Sequence, residues 1–173
     1  WGPKEGKWAN IAPNTPLYKD GKIFFCHGYN INGVMLQLSD DLKSVSVVWR
    51  TDVLDTHHGG YVEVNGTIYG SNWINNNQGN WCAIDWNTGA KGYETTWTGG
   101  KGKGSIIAAD GMLYCYDERR GAVALVNPDP AKFDIVSEFR ITKGVGPHWA
   151  HPVIVNGVLY IRHGFALMAY KVK

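Results

Sequence analysis

The sequence predicts an all-β fold built from repeated four-stranded antiparallel units. Three observations carry that expectation. Glycine supplies 22 of 173 residues, well above the usual ~7%. Aromatic residues reach 13%, with eight tryptophans, while charged residues stop at 18%, below the usual ~25%. Four Asn/Asp-Gly dipeptides, each followed by apolar residues and an aromatic, recur about 45 residues apart. This composition counts against a helical bundle, a coiled coil or a disordered tail, because it is not rich in Ala, Glu, Lys and Leu together.

The dipeptides set the frame. Asp20 with Gly21, Asn65 with Gly66, Asp110 with Gly111 and Asn156 with Gly157 each fit a type I′ turn, whose two central residues need positive φ. Each turn therefore marks a tight hairpin between two strand-like runs, A before it and B after it. Strand A is expected over 15–19, 61–64, 106–109 and 152–155, and strand B over 22–26, 67–70, 112–115 and 158–161. A third strand, C, follows a loop of variable length, over 35–38, 81–85, 122–126 and 166–170. A fourth, D, ends on an aromatic: Trp49, Trp97 and Phe139. The last unit lacks a strand D, and residues 5–8, ending at Trp8, read like one.

Four strands per ~45 residues is the arithmetic of a β-propeller blade. The expected blades are 12–51, 57–99, 102–141 and 148–173, with residues 1–10 completing the last, in one propeller over 1–173. A strand from one terminus pairing with the last blade removes an exposed edge. The periodic Trp49, Trp97 and Phe139 are expected to pack between blades, and Trp86 to be structural.

Charge and cysteine usage bound the function classes. The formal net charge is +2, with Lys and Arg scattered, so no basic stripe offers a nucleic-acid footprint. No apolar run approaches the ~20 residues of a membrane-spanning helix. Cys26, Cys82 and Cys115 are odd in number and far apart, which signals neither a disulfide framework nor a zinc site. The chain starts at Trp1 with no signal peptide and reads as a mature chain or a piece of a longer one.

The hairpins, the run Ala83-Ile84-Asp85-Trp86-Asn87-Thr88-Gly89 and the following Trp97 resemble the AxDxxTGxxxW repeat of pyrroloquinoline-quinone-type propellers. The ending, from Val155 through Tyr170, is similar to a last blade of that family. Only the second repeat keeps the full signature. The first has Ser39-Asp40-Asp41-Leu42 in place of D-x-x-T-G, and the third has Val126-Asn127-Pro128-Asp129. The family usually has about eight blades. Half of a longer propeller, two copies joining into one ring, and four blades closing alone all fit four units, with the first two favoured because four twisted blades leave a narrow ring.

In a propeller the D–A and B–C loops share one face. All six histidines fall there: His27 and His163 in B–C loops, and His57, His58, His148 and His151 in D–A loops. Variable loops on a rigid scaffold are where binding usually lives. The candidate ligand site is therefore this face, with the six histidines joined by Trp73, Lys103, Tyr116, Arg119, Trp149 and Arg162. Trp73 and Trp149 could stack on a planar ligand, and the cations could hold a carboxylate or phosphate. The bland reading stands beside it, since loop histidines often only bond backbone. Adjacent His57 and His58 point opposite ways in an extended chain, so a shared metal is not called for and its identity stays unknown. Lys101-Gly102-Lys103-Gly104 lacks the spacing of a phosphate-binding P-loop.

Two function classes follow from the resemblance, and a third beside them. One is a non-catalytic, quinoprotein-like binding or assembly platform with no cofactor in this chain. The alternative is part of a quinone-dependent alcohol or sugar dehydrogenase, which would need pyrroloquinoline quinone with calcium. That class often carries adjacent cysteines, and here no two are adjacent. The third is assembly work in the cell envelope. The expected partners are a second copy or the missing half of a longer propeller, and a small molecule or peptide on the loop face. The expected location is periplasmic or extracellular.

Overall fold

The computed structural model describes residues 13–172. Within them, fifteen strands form four antiparallel sheets, with no helix. Blade 1 holds β1 (Leu17–Lys19), β2 (Lys22–Cys26), β3 (Gly33–Leu38) and β4 (Val45–Thr51). Blade 2 holds β5 (Tyr61–Val64), β6 (Thr67–Ser71), β7 (Trp81–Asp85) and β8 (Lys91–Thr95). Blade 3 holds β9 (Gly104–Ala109), β10 (Met112–Asp117), β11 (Ala122–Asn127) and β12 (Asp134–Arg140). Blade 4 has three described strands, β13 (Val153–Val155), β14 (Val158–His163) and β15 (Ala166–Lys171). Strands pair in sequence order in every sheet, and no ladder joins the sheets. The architecture is all-β and propeller-like. The strand expected over residues 5–8 lies outside the described residues.

The turns form as their chemistry requires. Asp20, Asn65, Asp110 and Asn156 all have φ of 51°, and each following glycine is also positive, which is the type I′ geometry. Asn and Asp tolerate that region better than other non-glycine residues. In blades 1 to 3 the pairing of the third and fourth strands slips by one residue at the same place, at Met35/Leu36, Ala83/Ile84 and Leu125/Val126. A bulge of this kind bends and twists the outer strand.

Packing runs between neighbouring sheets, face to face. Phe24, Cys26 and Met35 of blade 1 meet Tyr61, Ile68, Cys82 and Ile84 of blade 2. Tyr69, Trp81 and Ala83 of blade 2 meet Ile106, Leu113, Cys115 and Ala124 of blade 3. Tyr114, Tyr116 and Val123 of blade 3 meet Leu159 and Ile161 of blade 4. Removing this apolar surface from water is the main favourable term holding sheet to sheet. Trp97 and Trp86 are buried, and half-buried Trp49 packs against the first cluster. Phe139 departs from the expectation. It is 40% exposed, with its ring 4.7 Å from that of Tyr170 on β15.

All three cysteines are free and buried. Cys26 and Cys82 lie in the cluster between blades 1 and 2, and Cys115 in that between blades 2 and 3. Burial pushes each thiol well above its ordinary pKa.

Candidate functional site

Six loops on one face meet around a cleft of about 460 Å³, lined by Tyr29, His57, His58, Asn76, Lys103, Glu118, Arg119 and Trp149. These are the D–A and B–C loops that the repeat pattern assigned to one face.

The floor is an ion pair. Lys103 Nζ donates to Glu118 Oε1 at 2.5 Å, and both side chains are 6% exposed. The same ammonium donates to the carbonyls of Asn75 and Asn76, so Lys103 is spent on internal oxygens and is not offered to a phosphate. Glu118 Oε2 lies 3.3 Å from His58 Nε2. Burial alone would raise the Glu118 carboxyl, but His58 and Lys103 outweigh it and hold its pKa below the ordinary value.

One wall is aromatic. Tyr29 OH shares a 2.9 Å hydrogen bond with His57 Nε2, and its ring lies 4.4 Å from His57 and 4.9 Å from Trp73, centroid to centroid. Burial, then the neighbouring charges of His58 and Lys103, lowers the His57 pKa. His58 stands edge-on to His57 and to Trp149. Trp149 itself is 58% exposed.

Tyr29 is presented by an unusual backbone. Tyr29, Asn30 and Asn32 all have positive φ, a region costly for a bulky residue. Asp55 fixes this loop: its Oδ1 accepts from the amides of Gly28 at 2.8 Å and Asn32 at 3.1 Å. Burial raises the Asp55 pKa despite these bonds. Gly28 packs on the His57 backbone so closely that a Cβ would collide with it. Glycine there lets the Tyr29 loop touch the His57 loop.

The structure sorts the twelve predicted residues into groups. His57, His58, Lys103, Arg119 and Trp149 line the cleft, and Trp73 backs it through Tyr29. Arg119 is exposed, and its Nη1 donates to Asn77 O at 2.9 Å.

Tyr116, His148 and His163 form a separate buried cluster. Tyr116 OH meets His148 Nδ1 at 2.5 Å, and His148 stacks on His163 at 3.7 Å. His163 faces the carbonyls of Lys143 and Gly146. Burial, then His163, lowers the His148 pKa to about 4. These three tie the 141–152 loop to β10 and β14 rather than face the cleft.

His151 is exposed and bonds His58 O at 2.8 Å. It lines a smaller hollow of about 180 Å³ with Asn14, Gly60 and Tyr61. His27 is half-buried beside Phe25. Arg162 is exposed on β14.

Sequence reasoning missed Tyr29, Asn76 and Glu118 as lining residues. Tyr29 lay inside the 27–33 loop already marked as variable, and its flanking Gly28, Asn30 and Asn32 were the available signal. The Ser71 hydroxyl donates to Gly104 O and accepts from Gly104 N. Among the described residues, no group of three or more His, Cys, Asp or Glu could hold a metal ion.

Comparisons with known proteins bear on the fold. No family model matches the chain, and no curated protein matches it. Solved structures do. A computationally designed protein aligns with a TM-score of 0.65 at 6% identity, over 96% of this chain and 47% of its own. Glutaminyl cyclase from Myxococcus xanthus aligns at 0.53 and 18% identity, over 93% and 66%. A quinohemoprotein alcohol dehydrogenase from Pseudomonas putida aligns at 0.56 and 16%, over 86% and 28%. These likenesses support a propeller-like fold and no particular family. The chain spans less than two thirds of each of these proteins.

Proposed function

We propose that this chain is a non-catalytic, quinoprotein-like propeller module that binds a small polar molecule in the loop-face cleft. The carrying observation is the combination of the exposed Trp149, the Tyr29–His57 wall and a buried ion pair beneath them. A cleft of about 460 Å³ falls within the ~300–1,000 Å³ of small-molecule sites. An aromatic face supplies stacking area, and Asn76, Arg119 and His58 supply polar contacts that fix orientation.

The dehydrogenase alternative needs calcium beside a quinone, and calcium takes ~6–8 oxygen ligands. The acids near the cleft do not converge as that demand requires: among the described residues no group of three or more His, Cys, Asp or Glu is placed to hold a metal ion.

Tryptophan fluorescence titration tests the reading, using a glycan panel and a panel of aromatic carboxylates. Saturable quenching that disappears in Trp149→Ala supports it. Flat titrations with both panels, or dye reduction by alcohols once pyrroloquinoline quinone and calcium are added, would overturn it.

A further inference from the structure

We propose that the loop face of blades 3 and 4 rests on an anionic lipid surface, with Val145 and Phe165 as two apolar tips that enter the interface. The inference goes beyond the cleft and does not depend on what binds there.

Two neighbouring connections build the tips. One is the 141–152 loop between β12 and β13, and the other is the tight turn at Gly164 and Phe165 between β14 and β15. The buried His163 ring lies against the first loop, with its nitrogens 2.8 Å from Lys143 O and 2.7 Å from Gly146 O. Those carbonyls flank Val145 in the chain, so the imidazole fixes the bend at whose crest Val145 stands. Gly144 and Gly164 both have positive φ. A Cβ on Gly144 would strike His163 O, and one on Gly164 would strike Val145 O. Glycine at both positions lets the two connections touch backbone to backbone and sets the tips side by side.

The tips carry the wrong chemistry for water. Tight turns ordinarily hold Gly, Asn, Asp, Ser or Pro, yet Phe165 is 82% exposed and Val145 is 61% exposed. The matching connection of blade 3 reads Glu118-Arg119-Arg120-Gly121. Neither tip residue belongs to a hydrophobic cluster among the described residues. Two adjacent apolar tips held outward by a specific backbone arrangement are the mark of a contact surface.

Charge names the surface. At this end of blades 3 and 4, Lys101, Arg119, Arg120, Lys143 and Arg162 are exposed. Asp117 and Glu118 are withdrawn, at 0% and 7% exposed. The connections 96–103 and 141–152 contain no acid. The asymmetry extends along the chain: residues 141–173 hold four of the 17 Lys and Arg and none of the 15 Asp and Glu. Val145 and Phe165 therefore emerge from a face that shows cations and hides its acids. Apolar side chains at the acyl boundary with Lys and Arg at the headgroup level are the two signals that together hold a protein to an anionic bilayer. An acidic protein would satisfy the charge but would need a preformed pocket for each tip, whereas a lipid interface receives them anywhere.

The test is co-sedimentation of the full chain with phosphatidylserine–phosphatidylcholine vesicles and with phosphatidylcholine vesicles alone. The anionic vesicles should pellet the protein, the neutral ones should not, and added salt should release it. Phe165→Ser should weaken binding ~10-fold or more, and Lys143→Glu combined with Arg162→Glu should weaken it at least as much. Melting temperatures should stay unchanged, because all three side chains are exposed. Val145→Cys takes an environment-sensitive fluorophore selectively, since the native thiols are buried, and its emission should shift to the blue on anionic vesicles. Equal pelleting by neutral vesicles overturns the proposal, as does binding that survives Phe165→Ser. Absence of pelleting by either vesicle overturns it too, and assigns the tips to a protein partner instead.

Discussion

Lys103 and Glu118 lie 2.5 Å apart with both side chains almost wholly withdrawn from water. They join the β8–β9 loop to the β10–β11 loop, and Lys103 also holds the carbonyls of Asn75 and Asn76 from the β6–β7 loop. Removing one partner strands a buried charge, at a cost of ~3–5 kcal/mol. Lys103→Met and Glu118→Gln should therefore each lower the melting temperature strongly. The double variant should recover part of the loss, because the stranded charge is gone. A full double-mutant cycle by thermal denaturation measures this coupling.

Trp149 should behave in the opposite way. It is 58% exposed, so Trp149→Ala should change stability by no more than ~0.5 kcal/mol. It should nevertheless abolish any fluorescence quenching by a bound molecule. A large drop in melting temperature would instead mark the indole as structural.

Gly121 has φ of 64°, and a Cβ there would enter the His148 ring. Gly121→Ala should cost at least the ~1–3 kcal/mol of backbone strain. Adding His148→Ala should relieve the collision but not the strain. Urea unfolding of the two single variants and the double variant separates the two contributions.

Two buried groups respond to acid with opposite signs. Burial, aided by Glu118, raises the Asp117 pKa to about 6, so the folded state binds the extra proton between about 4 and 6 and loses relative stability as pH rises through that window. His148 sits at about 4 when folded, below an unfolded value near ~6.5. Its contribution is present above ~6.5 and is lost as pH falls towards about 4. The two slopes largely cancel. Asp117→Asn should therefore stabilise the protein at pH 7 and above. It should also expose a loss of up to ~1.4 kcal/mol per pH unit on acidification from ~6.5 to ~4. Denaturant midpoints across that range check both effects.

The fold was legible because its signals are local and repeated. A type I′ turn needs positive φ at two residues, and Asn/Asp-Gly advertises that wherever it stands, as at Asn65 and Asn156. Strand ends were less legible. Strand D of blade 2 was expected to reach Trp97, but β8 stops at Thr95, and Trp97 is buried beyond it. The site was half legible. The loop face and its histidines could be read from spacing alone. The split between His57–His58 and His148–His163 could not, because it depends on which carbonyls and rings each imidazole meets across the repeat. Glu118 was hidden for the same reason, since its partner Lys103 comes from another loop.

The buried thiols give the molecule internal clocks. A thiol-specific reagent cannot reach Cys26, Cys82 or Cys115 in the closed structure, so each modification reports a transient opening around that residue. Cys26 and Cys82 sit in one seam and Cys115 in the next, which lets a single labelling time course separate the breathing of two adjacent seams. Unequal rates between the pair and Cys115 would show which junction yields first, without any engineered probe.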